Sequence, residues 1–154
     1  MDQVVIRRAK LDDLEQLLMF EQAMIEAERP FDEKIRKGSD VRYYDLTALI
    51  SSPEAEVVVA ELNSELIATG YARLKLSEPY YAHDKYSYLG FMFVVPEHRG
   101  KGVNRMIIDA LESWSRSKGV SVIELEVFAE NSSAVKAYEK SNYKGLMLTM
   151  RKSL

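Results

Sequence analysis

The period of apolar and polar positions changes several times along the chain, and each change marks an element boundary. Val4 and Ile6 alternate with polar neighbours over residues 3–8, which predicts a first strand. From Leu11 to Glu28 the period lengthens to that of a helix. Leu14, Leu17, Leu18, Met24 and Ile25 then share a face that could lie on a sheet, and Pro30 closes the element. Polar residues 32–40, punctuated by Gly38, predict a loop, and 41–50 a second, shorter helix ended by Ser51-Ser52-Pro53. Residues 56–62 and 66–76 predict two strands joined as a hairpin at Asn63-Ser64. A tyrosine-containing loop, 78–85, leads to a fourth strand over 86–95, rich in aromatic and β-branched residues. Residues 101–118 predict a third helix, with Val103, Met106, Ile107, Ala110, Leu111 and Trp114 on one face. A fifth strand follows over 120–128 and a fourth helix over 132–140, with Asn131 as its N-cap. A last strand is expected over 143–151, where Leu146, Leu148 and Met150 alternate. The order βααβββαβαβ has strands in runs as well as crossovers, so the expected class is α/β, a mixed sheet flanked by helices. Neither an internal repeat nor a linker interrupts it, and residues 1–154 read as a single domain.

The junction between the fourth strand and the third helix carries the strongest chemical signal. Arg99, Gly100, Lys101 and Gly102 sit where the strand ends and the helix begins. Glycines there let the backbone approach a ligand closely, and the first helical N–H groups, from Val103, Asn104 and Arg105 onward, lack partners within the helix. With the positive end of the helix dipole they form a site for an anion such as pyrophosphate, which Lys101 and Arg105 could also meet. The spacing alone is equally that of a glycine-containing turn with solvated basic residues. The dinucleotide fingerprint is excluded because Arg105 stands where its third glycine belongs, and a P-loop because the Gly-Lys-Ser/Thr ending is missing.

The turn resembles the acetyl-CoA signature of the GNAT superfamily of N-acetyltransferases, Arg/Gln-x-x-Gly-x-Gly/Ala. Arg99, Gly102 and Asn104 occupy its three defined positions, with Asn104 a departure from the small last residue. Downstream, the superfamily often shows Leu-Glu-Val, Asn-x-x-Ala and Tyr-Glu-Lys-x-Gly-Phe. Leu125, Glu126, Val127, Asn131, Ala134, Tyr138, Glu139 and Lys140 fit that pattern, and Asn142-Tyr143 replaces the Gly-Phe pair. The resemblance is strong over residues 86–151.

The resemblance implies the GNAT fold, in which strands four and five splay apart and the pantetheine arm of acetyl-CoA lies in the gap. By the same resemblance the backbone at Met92, Phe93 and Val94 pairs with that arm, the side chain of Asn131 touches it, and a backbone N–H near Phe93 or Val94 faces the oxyanion. Tyr138 is then the expected general acid for the departing thiolate. Glu126 is the expected general base, directly or through a water. It points away from the face that Leu125 and Val127 share, and Tyr88, Leu89, Gly90 and Phe91 on the preceding strand offer no carboxylate. The expected co-substrate is acetyl-CoA, the acceptor an amine, and no metal is expected.

Composition narrows the remainder. The chain has no cysteine, which removes disulfides, thiolate metal sites and a cysteinyl acyl-enzyme together. His83 and His98 are isolated, which argues against a histidine metal cluster. A net charge of −3 does not suggest nonspecific nucleic-acid binding. No apolar run approaches a membrane span, and Met1 leads at once into charged sequence, which predicts a cytoplasmic protein without a secretory signal. Glu21, Glu26, Glu28, Asp32 and Glu33 could draw a cationic amine, and Tyr43, Tyr44, Tyr80, Tyr81, Tyr86 and Tyr88 could line its pocket; a solvated acidic face and packed tyrosines are the alternatives. The acceptor's identity, and whether the chain forms a homodimer, stay open. The leading reading is an acetyl-CoA-dependent N-acetyltransferase; a catalytically silent acyl-CoA-binding module on the same fold and, last, a nucleotide-binding protein are the alternatives.

Overall fold

The computed structural model describes residues 3–154, so the first two residues of the expected 1–154 domain lie outside the described residues. A five-stranded sheet runs in the order β1-β2-β3-β4-β5. Its strands are β1 (Val5–Arg8), β2 (Ala55–Leu62), β3 (Glu65–Leu76), β4 (Lys85–Val94) and β5 (Ile123–Leu125). The first four pair antiparallel and β4 pairs β5 in parallel, which makes the sheet mixed. Helices α1 (Leu14–Glu28), α2 (Leu46–Ser51), α3 (Val103–Ser117) and α4 (Ser132–Lys140) complete the order.

Alternation along the strands splits the core into two layers. Val57, Val59, Tyr71 and Phe93 face α1 and α2, where they meet Leu17, Phe20, Met24, Leu46 and Ile50. Val58, Ala60, Ala68, Ala72 and Leu89 face α3, where they meet Val103, Ile107 and Leu111. Burying both faces explains why β2 reads as an apolar run with little polar alternation. The Asn63-Ser64 hairpin is present, with φ of 51° and 65°, the left-handed geometry that two-residue hairpin turns favour.

The alternation breaks once, in β4. Tyr71 pairs with Gly90 and Thr69 with Phe93, so Gly70 faces both Phe91 and Met92 across a β-bulge. Phe91 takes φ 56°, a conformation that costs a non-glycine residue about 1–3 kcal/mol. The bulge reverses the parity of the strand: Ser87 and Leu89 face α3 before it, and Phe91 and Phe93 face α1 after it. Gly70 is required because a Cβ there would lie 2.7 Å from Met92 Sδ and from Ile107 Cγ2.

Several elements depart from the sequence expectations. The second helix begins at Leu46, where Asp45 caps it by accepting Ala48 N–H at 3.1 Å; Val41 to Tyr44 are irregular. On α3 the buried face comprises Val103, Ile107, Ile108, Leu111 and Ser115, with Met106 38% exposed. The fifth strand shortens from 120–128 to Ile123–Leu125. Residues 143–151 form no strand: Leu146, Leu148 and Met150 alternate as expected but remain exposed. Alternation supplies two faces for a strand but no hydrogen-bonding partner.

Candidate active site

β4 and β5 pair over only three residues. Their ladder contains only Ser87↔Ile123, Tyr88↔Glu124 and Leu89↔Leu125. Beyond Leu89, β4 continues through the bulge to Val94 while β5 has ended, so Met92, Phe93 and Val94 have no ladder partner on the β5 side. Buried backbone groups without a ladder partner need partners from elsewhere.

The glycine turn lies at the end of the same strand. Pro96–His98 form one 3₁₀ turn, then Gly100 and Gly102 adopt φ of 74° and 84° before α3 starts at Val103. A Cβ built on either glycine would meet no protein atom within 4 Å, so the backbone there faces open space. Arg99 ties the turn to the strand: its Nε donates to the Val94 carbonyl at 2.8 Å and its guanidinium lies 5.7 Å from the Phe93 ring centroid. Lys101 is exposed, and Arg105 is held by Asp109 at 3.0 Å along the exposed side of α3. The Val103 side chain is core, which leaves its backbone as the part available to an anion; Asn104 is half-buried.

Glu126 lies just past β5, on the sheet face that looks toward α1 and α2. Tyr88 of β4 donates its hydroxyl to Glu126 Oε1 at 2.9 Å, and Lys75 Nζ sits 4.6 Å from the Tyr88 ring centroid. Burial, then the Glu126 carboxylate, raise the Tyr88 phenol well above its usual range, so it remains a donor. Leu125 packs on the α3 side as the alternation requires, while Val127 is 37% exposed and shares no packed face with it.

Tyr138 lies on α4, and Asn131 caps that helix by accepting Ala134 N–H at 3.3 Å. The Tyr138 phenol is pushed up to about 12, by burial first and then by the nearby Glu28 carboxylate. The Tyr143 ring lies 6.1 Å from that of Tyr138, and its hydroxyl reaches Glu112 Oε2 at 2.9 Å. Tyr143 therefore anchors the end of α4 to α3, where the superfamily pattern has Gly-Phe.

The five acids expected to form one cluster are dispersed. Glu21 is fully buried; Glu26 pairs with Arg29 at 2.9 Å; Asp32 pairs with Arg151; Glu33 is exposed. Glu28 meets the Tyr43 side chain. Burial raises its carboxyl above the usual value, and a hydrogen bond with the Tyr43 side chain opposes that shift. The tyrosines divide likewise. Tyr44 packs edge-on against Tyr71 at 5.4 Å inside the site, whereas Tyr80, Tyr81, His83 and Tyr86 form a separate aromatic group on the 78–85 loop side. Burial raises the phenol of Tyr71, which had no part in the sequence expectations, with Arg73 opposing and Glu126 adding to the shift. Its signal was hidden, because in sequence it is an ordinary aromatic strand position.

A sequence model described as Acetyltransferase (GNAT) family matches residues 13–143. The uncharacterized N-acetyltransferase YhfO of Bacillus subtilis is 26% identical over 115 residues, 73% of this chain and 76% of that protein. The uncharacterized N-acetyltransferase YobR of the same organism is 37% identical over 60 residues, 39% of this chain, and the match spans only 24% of YobR. Among solved structures, a mutant of the BH1408 protein from Bacillus halodurans superposes with a TM-score of 0.88 at 22% identity, covering 97% of this chain and 99% of that one. A predicted acetyltransferase from Clostridium acetobutylicum, solved with acetyl-CoA, gives 0.72 at 18% identity, covering 98% and 96%. This chain belongs to the GNAT acetyltransferase family.

Proposed function

We propose that this chain transfers the acetyl group of acetyl-CoA to a primary amine by direct attack within a ternary complex. The observation that carries the reading is the adjacency of two features: the stretch Met92 to Val94, without a ladder partner on the β5 side, and the bare glycine turn at the end of the same strand. One long ligand with an amide-bearing arm and a pyrophosphate fits both. The arm lies along β4 as an added strand would, and the pyrophosphate lies on the N–H groups of Gly100 to Arg105. Arg99 holds the turn against the strand end, while Lys101 supplies free positive charge. That the structure from Clostridium acetobutylicum was solved with acetyl-CoA supports the choice of ligand.

In the reaction the amine nitrogen forms a bond to the thioester carbonyl carbon, the C–S bond breaks, and its electron pair leaves on sulfur. Glu126 takes the proton that the amine loses, through the carboxylate oxygen that Tyr88 does not occupy. Of the two expected N–H donors, that of Val94 bonds the oxyanion, because the β3 register turns the Phe93 N–H toward Thr69. Tyr138 donates its hydroxyl to the leaving thiolate. A phenol at about 12 gives up its proton reluctantly to a group whose usual pKa is ~8.5, so Tyr138 acts chiefly through that hydrogen bond. No cysteine is available for a covalent acyl intermediate. Isothermal calorimetry with acetyl-CoA, NAD and ATP tests the site: selective binding of acetyl-CoA is expected, and equal or preferred binding of NAD or ATP contradicts it.

A further inference from the structure

The strained bulge of β4 is held from the opposite side of the core by groups to which the reaction gives no role. Glu21, in the middle of α1, is fully buried, and its Oε2 accepts the N–H of Tyr43 at 2.7 Å and that of Tyr44 at 2.9 Å. Beside it, Gln22 Nε2 donates to the Val41 carbonyl at 2.8 Å. These bonds fix the irregular segment ahead of α2, which has no helical or sheet ladder of its own. The segment aims the Tyr44 ring at the sheet, 5.1 Å from the Phe91 ring and 5.4 Å from that of Tyr71. There the Tyr44 hydroxyl accepts the Phe91 N–H at 3.2 Å.

We propose that Glu21 and Tyr44 are positioning residues for acetyl transfer, forming a relay from α1 through the 43–44 segment to the Phe91 amide that holds the β4 bulge in place. Phe91 occupies a left-handed conformation, and the bulge leaves it outside the β3 pairing register, so its amide needs a partner from elsewhere. Tyr44 supplies that partner. Burial raises the Tyr44 phenol far above its usual range, which keeps the hydroxyl neutral. The bulge sets the direction of the next amides on the β5 side, those of Met92 and Val94, so a shift at Phe91 turns them away from a bound thioester. Glu21 explains the precision of the arrangement. Its Oε1 has no hydrogen-bond partner among the described residues, a costly state for a buried carboxylate, and the return is one oxygen that fixes two consecutive amides.

This inference rests on the transferase reading, and its test separates the two. NMR hydrogen exchange on the wild-type protein reads the Phe91 amide without any turnover. Strong protection is expected, and an unprotected Phe91 amide overturns the relay whatever the enzyme does. Tyr44→Phe keeps the ring and removes the acceptor. We expect faster exchange at Phe91, a kcat lowered by about 10- to 100-fold, since misplacement of about 1 Å costs that much, and little change in the Kd for acetyl-CoA. Glu21→Gln retains a carbonyl oxygen able to accept both amides, so it should disturb Phe91 exchange less than Tyr44→Phe does. A folded Tyr44→Phe enzyme with wild-type kcat, even if less stable, overturns the relay. A protected Phe91 amide in a wild-type protein that never acetylates amines supports the relay's geometry and contradicts the transferase reading.

Discussion

Tyr88 and Glu126 meet across the last step at which β4 and β5 remain close, hydroxyl to carboxylate at 2.9 Å. Tyr88 faces Glu124 in the parallel ladder, so its side chain reaches one same-face position further along, to Glu126, the proposed base. The contact turns an exposed strand-end glutamate into an oriented one.

Glu126→Gln keeps size and hydrogen-bonding reach but cannot take the amine's proton. Turnover should fall by roughly 10²-fold near neutral pH and recover partly as pH rises, because more of the free amine then arrives neutral. Tyr88→Phe should lower kcat by a smaller factor, because the carboxylate remains but loses its orientation. Superimposable pH–rate profiles for Glu126→Gln and wild type would assign the base elsewhere. A change confined to KM would make Glu126 a binding group for the ammonium.

Tyr138→Phe should leave acetyl-CoA affinity nearly intact and reduce turnover by about ten-fold or more, since the ring packing stays and only the donor is lost. With pKa at about 12, the phenol should contribute no limb to the rate profile below pH 10. Equal single-turnover rates for the two proteins would remove Tyr138 from the chemistry.

Gly102→Val should weaken CoA binding strongly in a folded protein. Its Cβ would meet no protein atom, so the obstacles are the 84° φ and the ligand's own approach. Calorimetric titration decides this, and unchanged affinity in the folded variant would move the pyrophosphate elsewhere.

Asp13 links stability to pH. Arg7 donates to both of its carboxylate oxygens at 2.9 Å, and the Lys10 N–H donates at 2.9 Å as well. The hydrogen bonds from Arg7 hold the carboxyl below its usual value despite its burial. A depressed folded pKa gives stability that is present above the unfolded pKa of ~3.9 and lost as pH falls through the folded pKa. Asp13→Asn should therefore cost about 1–3 kcal/mol near pH 7 and much less near pH 2. Urea melts at the two pH values check it, and an equal loss at both contradicts the linkage.

Local signals were the legible ones. The hairpin at Asn63-Ser64, the cap at Asn131 and the glycine turn all depend on short-range backbone chemistry, and the structure places them as the residues imply. The resemblance over residues 86–151 brought Glu126 and Tyr138 forward, while the hydrogen bond of Tyr88 to Glu126 and the nearness of the Glu28 charge to Tyr138 needed the fold. What stayed hidden was long-range. Glu21 looks like one acid in an exposed acidic run, yet it is buried because an unladdered segment 22 residues away needs its oxygen. The Phe91 bulge shifts parity inside a strand whose apolar residues satisfy either face. The alternation over 143–151 promised a strand, but alternation does not report a hydrogen-bonding partner, and these residues join no ladder.

The central claim is acetyl transfer to an amine, and release of free CoA thiol tests it most directly. Purified protein is incubated with acetyl-CoA and a panel of amines: polyamines, amino acids, aminoglycosides and peptides with free N-termini or lysines. The account predicts amine-dependent thiol release at many turnovers per site, with N-acetylated product in equal amount and loss of the rate in Glu126→Gln. Tight acetyl-CoA binding with no amine-dependent release across the panel contradicts it and makes the chain a silent acyl-CoA-binding module.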